Sequence, residues 1–103
     1  MAARIGWEGV FPAVTTQFRP DFSLDIEATR RVMAGLIEDG VSGLIVCGTV
    51  GENTSLSRAE KVAVMEAAKD VAQGRVPVIA GVAEFTTAFA IETAREAARV
   101  GLD

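Results

Sequence analysis

Three apolar runs recur along the chain at nearly constant spacing, each followed by a stretch with helical periodicity. The run centres Ala13, Ile45 and Val78 stand 32 and 33 residues apart. The first, "VFPAVTTQF" (10–18), is apolar and β-branched. The second, "GLIVCG" (43–48), and the third, "VPVIAGVA" (76–83), lack polar alternation, as expected of parallel strands buried on both faces. Between them, apolar positions repeat at helical intervals. Ile26, Thr29, Met33, Leu36 and Ile37 mark a helix from Asp25 to Asp39 that Gly40 ends. Ser57 and Glu60 form an S-x-x-E capping box ahead of a stripe of Val62, Met65, Ala68 and Ala72, which Gly74 closes. Thr86 or Thr87 opens a third helix through Ile91, Ala94 and Ala98 to Gly101. No hairpin signal interrupts the series, so the strands are predicted to be parallel, with right-handed crossovers. A doubly wound sheet and a (β/α)8 barrel both use such units. A barrel takes about 250 residues, so this chain would supply three of its eight units. The rhythm calls for a further strand where the chain reaches Leu102 and Asp103.

The composition narrows the function classes. A net charge of −4, with 10 Lys and Arg dispersed among 14 Asp and Glu, argues against nucleic acid or an anionic membrane as partner. One cysteine and no histidine exclude a disulfide framework and argue against a metal site. Cys47, inside an apolar run, reads as a core residue. The opening "MAARIGWEGV" has no apolar signal-peptide region, and the apolar runs fall short of the roughly 18 to 20 residues a membrane span needs. A cytoplasmic protein is expected.

In parallel α/β folds, ligands meet the carboxyl ends of the strands. Those ends carry Thr15 and Thr16, then Thr49 to Glu52, then Ala83 and Glu84. "GTVGEN" (48–53) fits neither phosphate-loop pattern, and Glu52 would repel a phosphate. Backbone N–H groups with one hydroxyl suit a smaller anion, such as a carboxylate. Equally, Gly48 and Gly51 could serve only a tight turn, with Glu52 favourable near a helix N-terminus.

Together, "GVFPAVTTQF", "GLIVCGTVGENTSLSRAEK" and "GRVPVIAGV" resemble the first three βα units of the dihydrodipicolinate synthase and N-acetylneuraminate lyase family. These are class I, pyruvate-dependent aldolases on a (β/α)8 barrel. The motifs that carry it are Gly-[Thr/Ser]-Thr-Gly-Glu after the second strand, matched here by Gly48-Thr49-Val50-Gly51-Glu52 at all but its third position, the helix start Leu56, Ser57, Glu60, and the third strand Arg-x-Pro-Val-x-Ala-Gly. The resemblance covers nearly the whole chain and implies a full protein about three times as long, given a barrel with extra helices.

The resemblance also implies roles. Thr49 matches a threonine whose hydroxyl joins a proton relay with two tyrosines and touches the pyruvyl group. Val50 stands where a second threonine is usual and would hold the pyruvate carboxylate through its backbone N–H. Gly48 and Gly51 would let the backbone approach that carboxylate, Glu52 would fix the loop, and Ala13 and Thr16 would line the pocket. Three positions depart from the pattern: Val50 lacks the hydroxyl, Gln17 replaces a proline, and "AEF" (83–85) replaces a small polar loop. The mechanism needs a desolvated lysine on a strand to form a Schiff base with pyruvate. Lys61 and Lys69 both fall on the second helix among charged neighbours, and the chain has no tyrosine. The Schiff-base lysine and the relay tyrosines are therefore expected outside this chain, with no cofactor and no metal. The implied full-length protein is a lyase of pyruvate plus an aldehyde, or of a 2-keto acid, and a homo-oligomer (tetramer or dimer). Residues 1–103 would be the N-terminal part of its single barrel domain. A different class also fits the residues alone: a small non-catalytic α/β module that associates through open sheet edges.

Overall fold

Each helix starts where a side-chain oxygen meets an otherwise unpaired backbone N–H. In the computed structural model, which describes residues 5–103, Asp25 accepts from the amide of Ala28 and starts α1 (Ile26–Glu38). Ser57 and Glu60 form the expected reciprocal box at the head of α2 (Arg58–Ala72). Thr86 accepts from the amide of Phe89 to start α3 (Thr87–Val100). Such caps stabilise a helix by about 1 kcal/mol each, and they fix its first residue. Left-handed residues end all three helices: Gly40 just beyond α1, Gln73 and then Gly74 after α2, and Gly101 after α3. The sequence assigns the α2 stop to Gly74 alone; Gln73 takes the left-handed conformation one residue earlier.

β1 (Leu44–Val46) and β2 (Val78–Ala80) pair in parallel, Leu44 against Val78 and Val46 against Ala80. The first predicted strand is much shorter than expected. Only Ala13 bridges β1, opposite Ile45, through Val14 N–H to Ile45 C=O and Ile45 N–H to Pro12 C=O. Pro12 has no N–H to offer a neighbour. Residues beyond Gln17 leave the sheet altogether: a Phe18–Leu24 bridge closes a tight hairpin that delivers the chain to α1. On the edge of β2 that β1 leaves free, Asp103 N–H donates to Val78 C=O, and its carboxylate accepts from Val78 N–H. The Ala13 segment, β1 and β2 thus lie side by side in chain order, all parallel, each followed by a helix.

α2 is the centre of the packing, touching α1, α3 and both strands. Val64, Met65, Ala68 and Ala72 on α2 join Met33 of α1 and Leu44, Val46 and Val78 of the sheet in one core. Val62, expected in that stripe, is only half-buried, and Val64 takes its place. α3 departs further: Ile91, Ala94 and Ala98 face outward, while Thr93 is buried and Ala97 and Val100 are half-buried toward the core. The packed face is the one α2 reaches. The sheet is likewise one-sided, with Leu44, Val46 and Val78 buried beneath the helices and Ile45 and Ile79 only half-buried on the opposite face. Strands buried on both faces are not what these residues form by themselves. No helix among the described residues is long and apolar enough to cross a membrane.

Candidate active site at the strand ends

At the end of β1 the chain turns on Cys47, which has a φ of +57° and is fully buried. Left-handed backbone at a residue with a Cβ is costly, and such positions gather at functional turns. Burial pushes the Cys47 thiol up to about 11, so it is an inert core group, as the sequence suggests. The turn sends residues 48–52 across the strand mouth. Gly48 C=O accepts from Asn53 N–H and Thr49 C=O from Glu52 N–H, so the loop closes on itself. The N–H groups of Gly48, Thr49, Val50 and Gly51 have no acceptor among the described residues.

Two neighbours hold this loop from outside. From the first segment, Thr16 is buried and its hydroxyl donates to Gly51 C=O at 2.7 Å. From the other side, Asn53 is buried and its side-chain amide donates to Ala83 C=O, beyond β2, at 2.9 Å. Glycines allow the close approaches. A Cβ on Gly51 would lie 3.0 Å from Val14 O, and one on Gly81 would lie 2.7 Å from Cys47 O and 3.0 Å from Gly48 Cα. Gly48 itself is not crowded; the nearest atom to a Cβ there is at 4.0 Å.

The structure therefore sorts the residues singled out in the sequence. Thr49 and Val50 are exposed on the loop, and Ala13 is exposed on the neighbouring segment. Thr16 lies beneath the loop with its hydroxyl engaged, a support rather than an open contact. Glu52 shapes the loop through its backbone, with φ +58°, while its side chain is exposed and makes no capping hydrogen bond.

Lys61 requires a correction. Its place among charged neighbours suggests an outward side chain, yet it is 8% exposed. Its ammonium donates to Glu84 Oε1 at 2.6 Å, and the same oxygen accepts from the Thr93 hydroxyl at 2.8 Å. Glu84 just beyond β2 and Thr93 of α3 lie beside position 61, which explains its burial. Hydrogen bonds from Lys61 and then Thr93 hold the Glu84 carboxyl below the usual glutamate range. The trio borders a rim cavity of about 320 Å³, also lined by Asn53, Phe85 and Phe89. Lys69 stays exposed. Among the described residues, no three His, Cys, Asp or Glu side chains group as metal ligands. Asn53, Gly81 and the Lys61–Glu84–Thr93 trio are the parts that sequence reasoning misses. Asn53 lies inside the quoted loop and Glu84 at a strand mouth, but neither position reveals its partner.

Residues 6–103 match the model of the dihydrodipicolinate synthetase family. The 4-hydroxy-tetrahydrodipicolinate synthase of Sorangium cellulosum is 45% identical over 94 residues, 90% of this chain and 31% of that protein. Among solved structures, a dihydrodipicolinate synthase of Bacillus anthracis superposes with a TM-score of 0.87 at 33% identity, over 97% of this chain and 34% of that one. An N-acetylneuraminate lyase of Mycoplasma synoviae gives a TM-score of 0.88 at 31% identity, over 94% and 34%. The chain spans about a third of the length of the curated relatives it matches. Its fold is that of the first three βα units of a (β/α)8 barrel.

Proposed function

Since the chain belongs to the dihydrodipicolinate synthetase family, we propose that it supplies the keto-acid-binding strand ends of a Schiff-base-forming lyase. Such an enzyme acts on pyruvate plus an aldehyde, or on a 2-keto acid, by aldol condensation, cleavage or dehydration. The observation that carries this is the loop after β1. It gathers the N–H groups of residues 48–51, which have no acceptor among the described residues, and the exposed Thr49 at the mouth of a buried strand. Amide donors fixed in place suit a carboxylate, because they need no rearrangement when the anion arrives. Thr49 stands beside those donors and can pass a proton at the adjoining keto carbon. Val50 contributes its N–H, and its isopropyl group supplies no second hydroxyl.

The amine nucleophile comes from outside residues 1–103. Lys61 is committed to Glu84, and Lys69 lies on the outer side of α2. Residues 1–103 are then the N-terminal part of one barrel domain, in a protein that assembles as a dimer or tetramer. The test is borohydride reduction of the full-length protein with labelled pyruvate. One lysine adduct is expected, beyond residue 103. An adduct on Lys61 or Lys69, or none at all, would overturn the proposal.

A further inference from the structure

We infer that Lys61, Glu84 and Thr93 are positioning residues that hold the loop of residues 48–51 in its binding shape, an inference that rests on that loop being the keto-acid site. A continuous line of polar contacts joins them to it. Lys61 of α2 and Thr93 of α3 both donate to Glu84 Oε1, at 2.6 and 2.8 Å. Glu84 directly follows Ala83, whose carbonyl accepts from the Asn53 side chain at 2.9 Å. Asn53 in turn donates its own N–H to Gly48 C=O at 3.2 Å. A second link leaves the same lysine: its backbone carbonyl lies 3.8 Å from Cys47 Sγ, at the left-handed turn where the loop begins.

The chemistry of the pair explains why it acts on geometry. Both side chains are nearly enclosed, 10% exposed for Lys61 and 13% for Glu84. An enclosed ion pair adds little net stability over an apolar pair of the same shape, but removing one partner leaves a charge that must find water. If Lys61 is lost, the Glu84 carboxylate must turn outward. Residues 83–85 have no regular structure to resist that movement, so they follow it. Ala83 C=O then withdraws from Asn53, and Gly48 loses the donor that sets its carbonyl direction. None of the three side chains needs to touch the keto acid for this to happen.

The experiment uses the full-length protein and reads the pyruvate concentration that half-saturates borohydride trapping, alongside the maximal extent of trapping. Lys61→Met is expected to raise the half-saturating concentration about tenfold with the maximal extent retained, short of the roughly hundredfold cost of a 1 Å misplacement. Lys61→Arg, which keeps the cation, should stay within about threefold of the parent, and Asn53→Ala should match Lys61→Met, since both cut the same line. The double variant Lys61→Met with Asn53→Ala should then be no worse than the poorer single one. Multiplying effects in the double variant would overturn the inference, as would a melting loss in Lys61→Met with unchanged pyruvate dependence. Should Lys61→Met fail to fold, Thr93→Val removes a single hydroxyl from the same oxygen and is paired with Asn53→Ala in the same cycle. If the parent protein itself gives no adduct, the keto-acid reading fails and this inference with it. Normal trapping across all variants sinks the inference alone.

Discussion

Replacing Gly81 with alanine should damage both the stability and the loop of residues 48–51, although the new side chain is a single methyl group. Its Cβ would lie 2.7 Å from Cys47 O, 3.0 Å from Gly48 Cα and 3.1 Å from Cys47 C. All three are backbone atoms, so no side chain can swing away. Either β2 or the turn at Cys47 must move by several tenths of an ångström. Gly81 N–H also donates to Val46 C=O at 2.8 Å, and the same movement stretches that bond. Overpacking typically costs about 1–3 kcal/mol. Alanine recovers about 0.4–1 kcal/mol by restricting the unfolded chain, while weakening of the bond to Val46 offsets that recovery. The expected net loss is about 1–3 kcal/mol. Gly35 supplies the control. It lies inside α1 with nothing within 4 Å of its missing Cβ, so Gly35→Ala should stabilise by roughly 0.5–1 kcal/mol. Urea midpoints of the two full-length variants should therefore move in opposite directions, and only Gly81→Ala should raise the half-saturating pyruvate concentration. If Gly81→Ala matched the parent in both measurements, the close approach of β2 to the loop would not be what holds the site together.

Further expectations concern single groups. Thr49→Val in the full-length enzyme should lower turnover at least about 10²-fold, the low end for positioned proton transfer; Val50→Ala should alter pyruvate affinity only modestly. Steady-state kinetics would reverse the assignment if the two effects were exchanged. Cys47, raised to about 11 by burial, should carry only about one thiolate in a thousand at pH 8, so disulfide reagents should label it only as fast as the protein opens. Rapid labelling of the native protein would contradict its burial. Glu84 has a folded-state value below the ordinary one, so its contribution to stability is present above roughly pH 4.3 and is lost as pH falls through the depressed value. The stability gap between the parent and Glu84→Gln should therefore narrow between about pH 5 and pH 3, and urea midpoints showing a constant gap would deny the pairing.

The parts of this structure that a sequence reveals are those whose causes lie within a few residues. The caps at Asp25, at Ser57 with Glu60, and at Thr86 each join groups three residues apart, and all three helix starts are legible. The order of parallel units is legible for the same reason, since apolar runs and helical stripes are local patterns. Partners far apart in the chain are not. Thr16 and Gly51 are 35 residues apart, Asn53 and Ala83 are 30, and Lys61 and Glu84 are 23. Nothing near Lys61 announces that a carboxylate will enclose it. The outward stripe of α3 is hidden similarly, because Ile91, Ala94 and Ala98 make as plausible a buried face as Thr93 and Ala97 until α2 selects one. The first strand reads well as composition, but its pairing depends on a partner that Pro12 can meet only as an acceptor.

These long-range ties explain how residues 48–51 keep their donors free. An isolated Gly-rich loop would spend its N–H groups on its own carbonyls or drift among conformations. Here the carbonyls are occupied instead: Gly48 by Asn53, Thr49 by Glu52, and Gly51 by the Thr16 hydroxyl. With those acceptors engaged, the N–H groups of residues 48–51 are left without an acceptor among the described residues. A loop already fixed in this way takes up a carboxylate with no further ordering of its backbone. In the proposed enzyme the keto acid therefore meets donors whose placement was settled when Thr16 and Asn53 docked on either side. Removing either support should weaken binding while leaving every atom that contacts the keto acid unchanged.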